Sequence, residues 1–166
     1  DGGGRLKSVA SPYAEVTKWW YEGDDKLDWQ QNANGTWNGL FYTGNGGRDW
    51  PTIMGSYHPS VGYFAAYQLS YDNLTGGGGT VGNLTKVQEY TGGGVVNYGY
   101  DTLYRLTSET RTGSNSYGTK SYGYDLAGNR TSRTGTTYSF NAADILSGGS
   151  GISSVASDND GNLKSI

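Results

Sequence analysis

The sequence predicts an all-β fold of stacked antiparallel β-hairpins. Three observations carry that reading. Glycine supplies 29 of the 166 residues and aromatic residues 14%, while charged residues reach only 16%, a composition rich in turn formers and in side chains that cover sheet surfaces. Apolar residues rarely recur at the three- and four-residue intervals of a helix face, and glycine or threonine interrupts nearly every window. One short motif also recurs along the chain, and self-similarity of that kind decides architecture before local propensity does.

The first copy opens the chain as Asp1-Gly-Gly-Gly4-Arg5-Leu6-Lys7-Ser8, and Glu15 to Tyr21 then alternates like a strand. Worn copies follow at Trp20-Tyr21-Glu22-Gly-Asp-Asp25-Lys26-Leu27, at Asn32-Ala-Asn-Gly35-Thr36 and at Phe41-Tyr42-Thr43. The stretch 49–70 departs from the motif and is expected to be an irregular insertion. Tyr71-Asp72 resumes the motif, split by an insert from Gly82-Asn83-Leu84-Thr85. The clearest copies come last: Tyr98-Gly-Tyr100-Asp101-Thr-Leu-Tyr104-Arg105-Leu106-Thr107-Ser108 and Tyr122-Gly-Tyr124-Asp125-Leu-Ala-Gly128-Asn129-Arg130-Thr131-Ser132, which align without gaps. A third, Tyr138-Ser-Phe140-Asn141-Ala-Ala-Asp144-Ile145-Leu146-Ser147, exchanges Phe for Tyr and Asn for Asp, and a fourth closes the chain at Asp158-Asn-Asp-Gly161-Asn162-Leu163. The runs Gly2–Gly4, Gly76–Gly79 and Gly92–Gly94 read as turns. The reading is a single β domain over 1–166, well matched over 98–166 and degenerate over 1–97.

The motif has a physical logic. Alternation in Tyr-x-Tyr sets both rings on one face of a strand. Asp-x-x-Gly then suits a type I turn, in which the carboxylate accepts a backbone N–H two residues on and glycine takes positive φ. Tyr98, Tyr100, Tyr122, Tyr124, Tyr138 and Phe140 are therefore expected to form a ladder, with Asp101, Asp125, Gly128, Asn141, Asp158 and Gly161 at the corners. A lone hairpin is barely stable in water, so copies must cover one another.

Tyr124-Asp125-Leu-Ala-Gly128-Asn129-Arg130 resembles the consensus of the RHS or YD-repeat proteins, found in bacterial polymorphic toxins, insecticidal toxin complexes and teneurins. The resemblance implies that the stacked hairpins form an open segment of a wrapped or spiralling sheet, a β shell or cocoon in which the repeats are scaffold, in a secreted or cell-surface protein. Toxin members carry an Asp-Pro-based cleavage motif; this chain has no Asp-Pro pair, so neither self-cleavage nor a toxin warhead carries over. Both ends fall in or beside a motif, which suggests excision from a longer array or continuation into a neighbour, as in a fibre. The expected partners are neighbouring repeats or further copies of the chain.

Composition excludes several other functions. With no Cys and one His there is no disulfide framework, no thiolate metal site and no zinc cluster, and no cofactor is expected. A net charge of −3 argues against nucleic acid, and no apolar run approaches the roughly 18–20 residues of a membrane-spanning helix. His58 stands without a Gly-x-Ser-x-Gly elbow and reads as a loop residue. Glu22, Asp24, Asp25 and Asp28 form an acidic group that reads as a solvated turn rather than a calcium site or glycosidase pair, so no enzyme is expected. Trp19, Trp20, Trp29, Trp37 and Trp50 all fall in the first 50 residues. Exposed indoles offer flat apolar area with a polar edge, which makes carbohydrate binding the second reading and gives glycans as a further partner. Sequons at Asn34, Asn73, Asn83 and Asn129 are candidate N-glycosylation sites.

Overall fold

The computed structural model describes residues 1–13, 15–42, 50–72, 82–152, 155–158 and 162–165. These contain no helix and fifteen strands. They are β1 (Ser8–Ala10), β2 (Val16–Tyr21), β3 (Leu27–Gln31), β4 (Trp37–Tyr42), β5 (Pro51–His58), β6 (Gly62–Tyr71), β7 (Leu84–Glu89) and β8 (Gly94–Tyr100), then β9 (Leu106–Gly113), β10 (Gly118–Tyr124), β11 (Arg130–Arg133), β12 (Thr136–Phe140), β13 (Leu146–Gly149), β14 (Ala156–Ser157) and β15 (Leu163–Ser165). Strands β1 to β13 make one open antiparallel sheet whose spatial order is the chain order, and β14 pairs with β15 separately. Every connection in the sheet is therefore a hairpin, as the repeat requires.

The chain divides into two compact units, residues 1–96 with 111–116 and residues 97–110 with 117–166. The division falls beside the boundary between degenerate and well-matched copies. In the first unit, the register Trp20↔Trp29, Trp29↔Gly39 and Gly39↔Gly55 carries one face across β2 to β5. Strand alternation sets Trp20, Trp29, Trp37, Phe41 and Tyr57 on that face, and Asn38, Leu40, Met54 and Ser56 on the other.

The irregular insertion expected over 49–70 is a regular hairpin over the described residues 51–71. β5 and β6 pair from Ile53↔Gln68 to His58↔Gly62, with one bulge at Ser56/Tyr57. The two-residue alternation was present there, but the Tyr-Asp corner was not. His58 replaces that corner: Val61 N–H donates to its carbonyl at 3.0 Å, and Ser60 N–H donates to its Nδ1 at 3.2 Å.

Among the described residues only Ala66 and Val96 are buried apolar side chains, and no polar residue is buried. A one-layer sheet explains this, because a face without a second layer keeps its side chains half in water. The repeat tyrosines are half-buried rather than enclosed.

Candidate functional site: turn clamps and an aromatic cleft

The corners share one geometry. In 101–105, 125–129 and 141–145, the first residue's N–H donates to the fifth residue's carbonyl, and the fourth residue's N–H donates back to the first residue's carbonyl. This is a type I turn with a G1 bulge, in which the fourth residue has positive φ. The same pair of bonds closes 22–26 and 32–36. Glycine fills the fourth position at Gly4, Gly35 and Gly128, but Asp25, Tyr104 and Asp144 hold φ of 68°, 63° and 57° there without being glycine.

The first residue's side chain does more than cap the turn. Asp101 Oδ1 accepts from the N–H of Leu103 at 2.9 Å, two residues on, and from that of Arg105 at 2.9 Å, while Arg105 Nε donates to Oδ2 at 2.7 Å. Asp125 accepts from the Asn129 N–H at 2.8 Å and from its Nδ2 at 3.0 Å, and Asp158 and Asn162 repeat the arrangement at 2.8 and 3.1 Å. Asp1 and Arg5 do likewise, and Asn141 makes the backbone half, from Ala143 and Ile145. The carboxyls respond: the Arg105 N–H and then its guanidinium hold Asp101 below its ordinary pKa, and the Asn129 amide does so for Asp125. Sequence reading found the bond two residues on and missed the one four residues on. Its signal was an Arg or Asn at the fifth position of these copies.

The fifth residue also reaches the next corner. Arg105 Nη1 donates to the Asp125 carbonyl at 2.8 Å, and its guanidinium lies 4.8 Å from the centre of the Tyr124 ring. Arg5 behaves alike in the first unit, donating to the Glu22 carbonyl at 3.1 Å and to Asp25 at 2.8 Å, with the Tyr21 ring at 5.1 Å. Asn129 Nδ2 donates to Asp144 at 2.8 Å, and Arg130 lies over Tyr138 at 5.4 Å. Among the ladder residues, Tyr124 donates to the Leu106 carbonyl at 2.9 Å, and Tyr122 donates to Glu109 at 3.4 Å. Tyr98, Tyr100 and Phe140 sit half-buried in β8 and β12. Where an insert splits the motif, the clamp survives it: the Asp72 carboxylate accepts from Gly82 N–H at 3.0 Å, and its own N–H donates to the Asn83 carbonyl at 2.9 Å.

The five tryptophans do not form one platform. Trp20 stacks on Trp37 at 5.1 Å, and Trp29 meets Trp37 and Phe41 edge-on at 6.3 and 5.1 Å. Trp19 pairs with Gln30 and alternates to the opposite face, while Trp50 packs against Tyr71 at 4.9 Å. Trp29, Trp37, Tyr57 and Tyr63 line a cleft of about 320 Å³. Gly39 makes the geometry possible, since a Cβ there would stand 2.5 Å from the Trp29 ring.

Cations take three of the four acids: Lys26 Nζ lies 2.5 Å from Asp24 and 3.8 Å from Glu22, and Arg5 takes Asp25. No three potential metal ligands gather among the described residues. At Asn129 the sequon nitrogen already donates twice, to Asp125 and Asp144, so a glycan there would dismantle a clamp. Asn34 sits exposed at a turn tip, its Oδ1 accepting from Thr36 N–H at 3.0 Å and Thr36 Oγ1 at 2.7 Å. Asn83 lies beside the split corner; Asn73 and Gly161 lie outside the described residues.

No family model and no curated protein matches the chain. Solved structures do. The sheet is similar in fold to parts of Tc toxin complexes. The crystal structure of TcdB2-TccC3-Cdc42 matches 81% of the chain at 14% identity with a TM-score of 0.63. The Photorhabdus luminescens Tc holotoxin pore matches 99% at 15% identity and 0.60, and TcdB2-TccC3-TEV matches 99% at 14% and 0.61. The chain spans 7%, 11% and 12% of those three chains respectively. At such identities the likeness is one of fold, and it is consistent with the YD-repeat sheet that the motif resemblance implies.

Proposed function

We propose that the chain is a non-catalytic structural segment, a stretch of YD-repeat wall in a secreted or cell-surface protein that encloses or extends and turns over no substrate. One observation carries the reading: strand order equals chain order. Each hairpin closes locally, its corner supports the next, and length is added by repetition without distant residues having to converge on a reaction centre. That sheets of this fold lie within Tc toxin complexes supports a role in an assembled extracellular particle, with neighbouring repeats or copies of the chain as partners. Electron microscopy of the protein at high concentration tests the reading. Curved walls, shells or filaments are the expected images; solid monodisperse particles at every concentration would overturn it.

A further inference from the structure

We infer that Asn34 is a site of spontaneous deamidation, a slow chemical modification that the 32–36 corner selects. The inference goes beyond the scaffold reading and does not depend on it. In an Asn-Gly pair the backbone nitrogen of the glycine can attack the preceding side chain, because no Cβ obstructs it. The pair stands at 34–35, 38–39 and 45–46. The third lies outside the described residues, and the structure separates the other two.

The corner makes the reactive pair. Its fourth position takes positive φ, and Gly35 supplies it at 83°; among the described corners no other has an asparagine before that position. The side chains are also engaged differently. Asp101 and Asp125 accept the fifth residue's N–H themselves. Here Asn32 Oδ1 accepts from Gln30 Nε2 at 2.6 Å, and the fifth residue, Thr36, donates its N–H to Asn34 Oδ1 at 3.0 Å and its Oγ1 hydroxyl to the same oxygen at 2.7 Å. Two donors on one carbonyl oxygen draw charge from Asn34 Cγ and would hold the oxyanion formed on attack. They also fold Cγ back over the Gly35 peptide.

The reaction needs no oxidant or reductant. Gly35 N loses its proton to hydroxide and bonds to Asn34 Cγ, the Cγ–Nδ2 bond breaks, and ammonia leaves with a proton returned by water, closing a succinimide. Water then opens that ring at either carbonyl, to aspartate or to isoaspartate. Isoaspartate moves the former side-chain carbonyl into the main chain, so the Thr36 N–H loses its acceptor. Gly35 N–H is held by the Asn32 carbonyl at 3.0 Å, and the attack waits for this bond to open. At an exposed turn tip that opening is local. Asn38 is exposed as well, so exposure does not separate the two sites; the backbone does. Asn38 lies in β4, paired with Gln30 on one side and Ser56 on the other. Its Oδ1 accepts from Ser56 Oγ at 2.8 Å, and Gly39 is buried beneath the Trp29 ring. Attack there requires neighbouring strands to part.

The test uses protein made in bacteria, where Asn34 Nδ2 carries no glycan, aged in mildly alkaline buffer with and without urea. Fragmentation mass spectrometry of the peptide holding both sites follows conversion, and labelling by an isoaspartyl methyltransferase identifies the product. In the folded protein Asn34 should convert at least about tenfold faster than Asn38, and in urea the two rates should converge. Amide exchange at Thr36 should be at least about tenfold faster in the converted fraction, while that at Arg105 is unchanged. Any of four results would overturn the inference: Asn38 converting as fast as Asn34 in the folded protein, rates that stay apart in urea, Asn34 converting no faster than Asn32, or Thr36 exchange that conversion leaves unchanged.

Discussion

The two units close the same hairpin by different means. In residues 97–110 with 117–166 the corner does most of the work: strands such as β11 and β13 are only 4 residues long, and Asp101, Asp125 and Asn141 bind the far side of their turns through backbone and side chain. In residues 1–96 with 111–116 the strands do it. β5 and β6 run 8 and 10 residues, and rings lie over glycines, Trp29 on Gly39, Tyr63 on Gly55 and Trp50 on Gly82. Corners there have drifted to Glu22, Asn32 and His58, although Asp1 and Asp72 keep the carboxylate clamp. Where cross-strand packing secures the register, the turn motif is released from its chemistry.

The largest effect is expected at Gly113. Its φ is +75°, and a Cβ would stand 2.2 Å from the carbonyl oxygen of Gly93, so backbone meets backbone and nothing flexible can yield. Gly113→Ala should cost about 3 kcal/mol or more, left-handed strain plus overpacking, read by urea denaturation. A loss below about 1 kcal/mol would mean the two turns are not in contact. Next comes Gly39→Ala, where the obstacle is the Trp29 ring at 2.5 Å. A ring can shift at a cost of about 1–3 kcal/mol, with a red shift of tryptophan emission as it leaves its seat.

Substitutions and acid at the corners have smaller expected effects. Tyr104 pays for positive φ while half its surface is exposed, so Tyr104→Gly should raise stability by about 0.5–1 kcal/mol; a decrease would show that the ring's packing outweighs the strain. Acid gives a weaker, graded effect. Asp101 and Asp125 titrate below their ordinary value because Arg105 and Asn129 bond the charged form. Their contribution is therefore complete above the unfolded aspartate pKa of about 3.9 and is lost as pH falls through the lowered folded value. Asn141 makes the backbone clamp with a neutral amide. In an NMR titration down to about pH 2, the Arg105 and Asn129 amides should lose their carboxylate acceptors and move, whereas the Ala143 amide, which donates to the neutral Asn141 side chain, should move less.

Much of this was legible in the sequence, and the reasons for the rest are physical. Hairpins were readable because Tyr-x-Tyr-Asp-x-x-Gly writes strand, corner and positive φ in one local string. The hairpin of 51–71 was not, because its corner is made by His58 Nδ1, a group that mimics the Asp oxygen without sharing its name. Nor was the grouping of the tryptophans: Trp19 and Trp20 are adjacent in sequence and fall on opposite faces, while Trp20 and Trp37 meet only through the register of β2, β3 and β4. The reach of Arg5 and Arg105 to the next corner depends on hairpin spacing, which no single copy of the motif contains.

The finest test concerns a pair that the repeat carries in two orders. Gly123 lies opposite Ser132, and a Cβ on the glycine would stand 2.5 Å from the serine Oγ; Gly99 and Ser108 repeat this at 2.4 Å. In the next copy the residues are exchanged, Ser139 opposite Gly148, where a Cβ on the glycine would meet nothing within 4 Å. The exchange keeps one glycine per pair, but only at Gly99 and Gly123 would a Cβ meet the serine opposite. Gly123→Ser alone should cost about 1 kcal/mol, because the serine Oγ can rotate away but two hydroxyls then crowd one site. Gly123→Ser with Ser132→Gly should restore most of that, a coupling of about 1 kcal/mol in a double-mutant cycle. Coupling near zero would mean that Tyr-Gly-Tyr keeps its glycine for the backbone beside the Gly123/Tyr124 bulge, and that the exchange seen at Ser139 and Gly148 is not a packing rule.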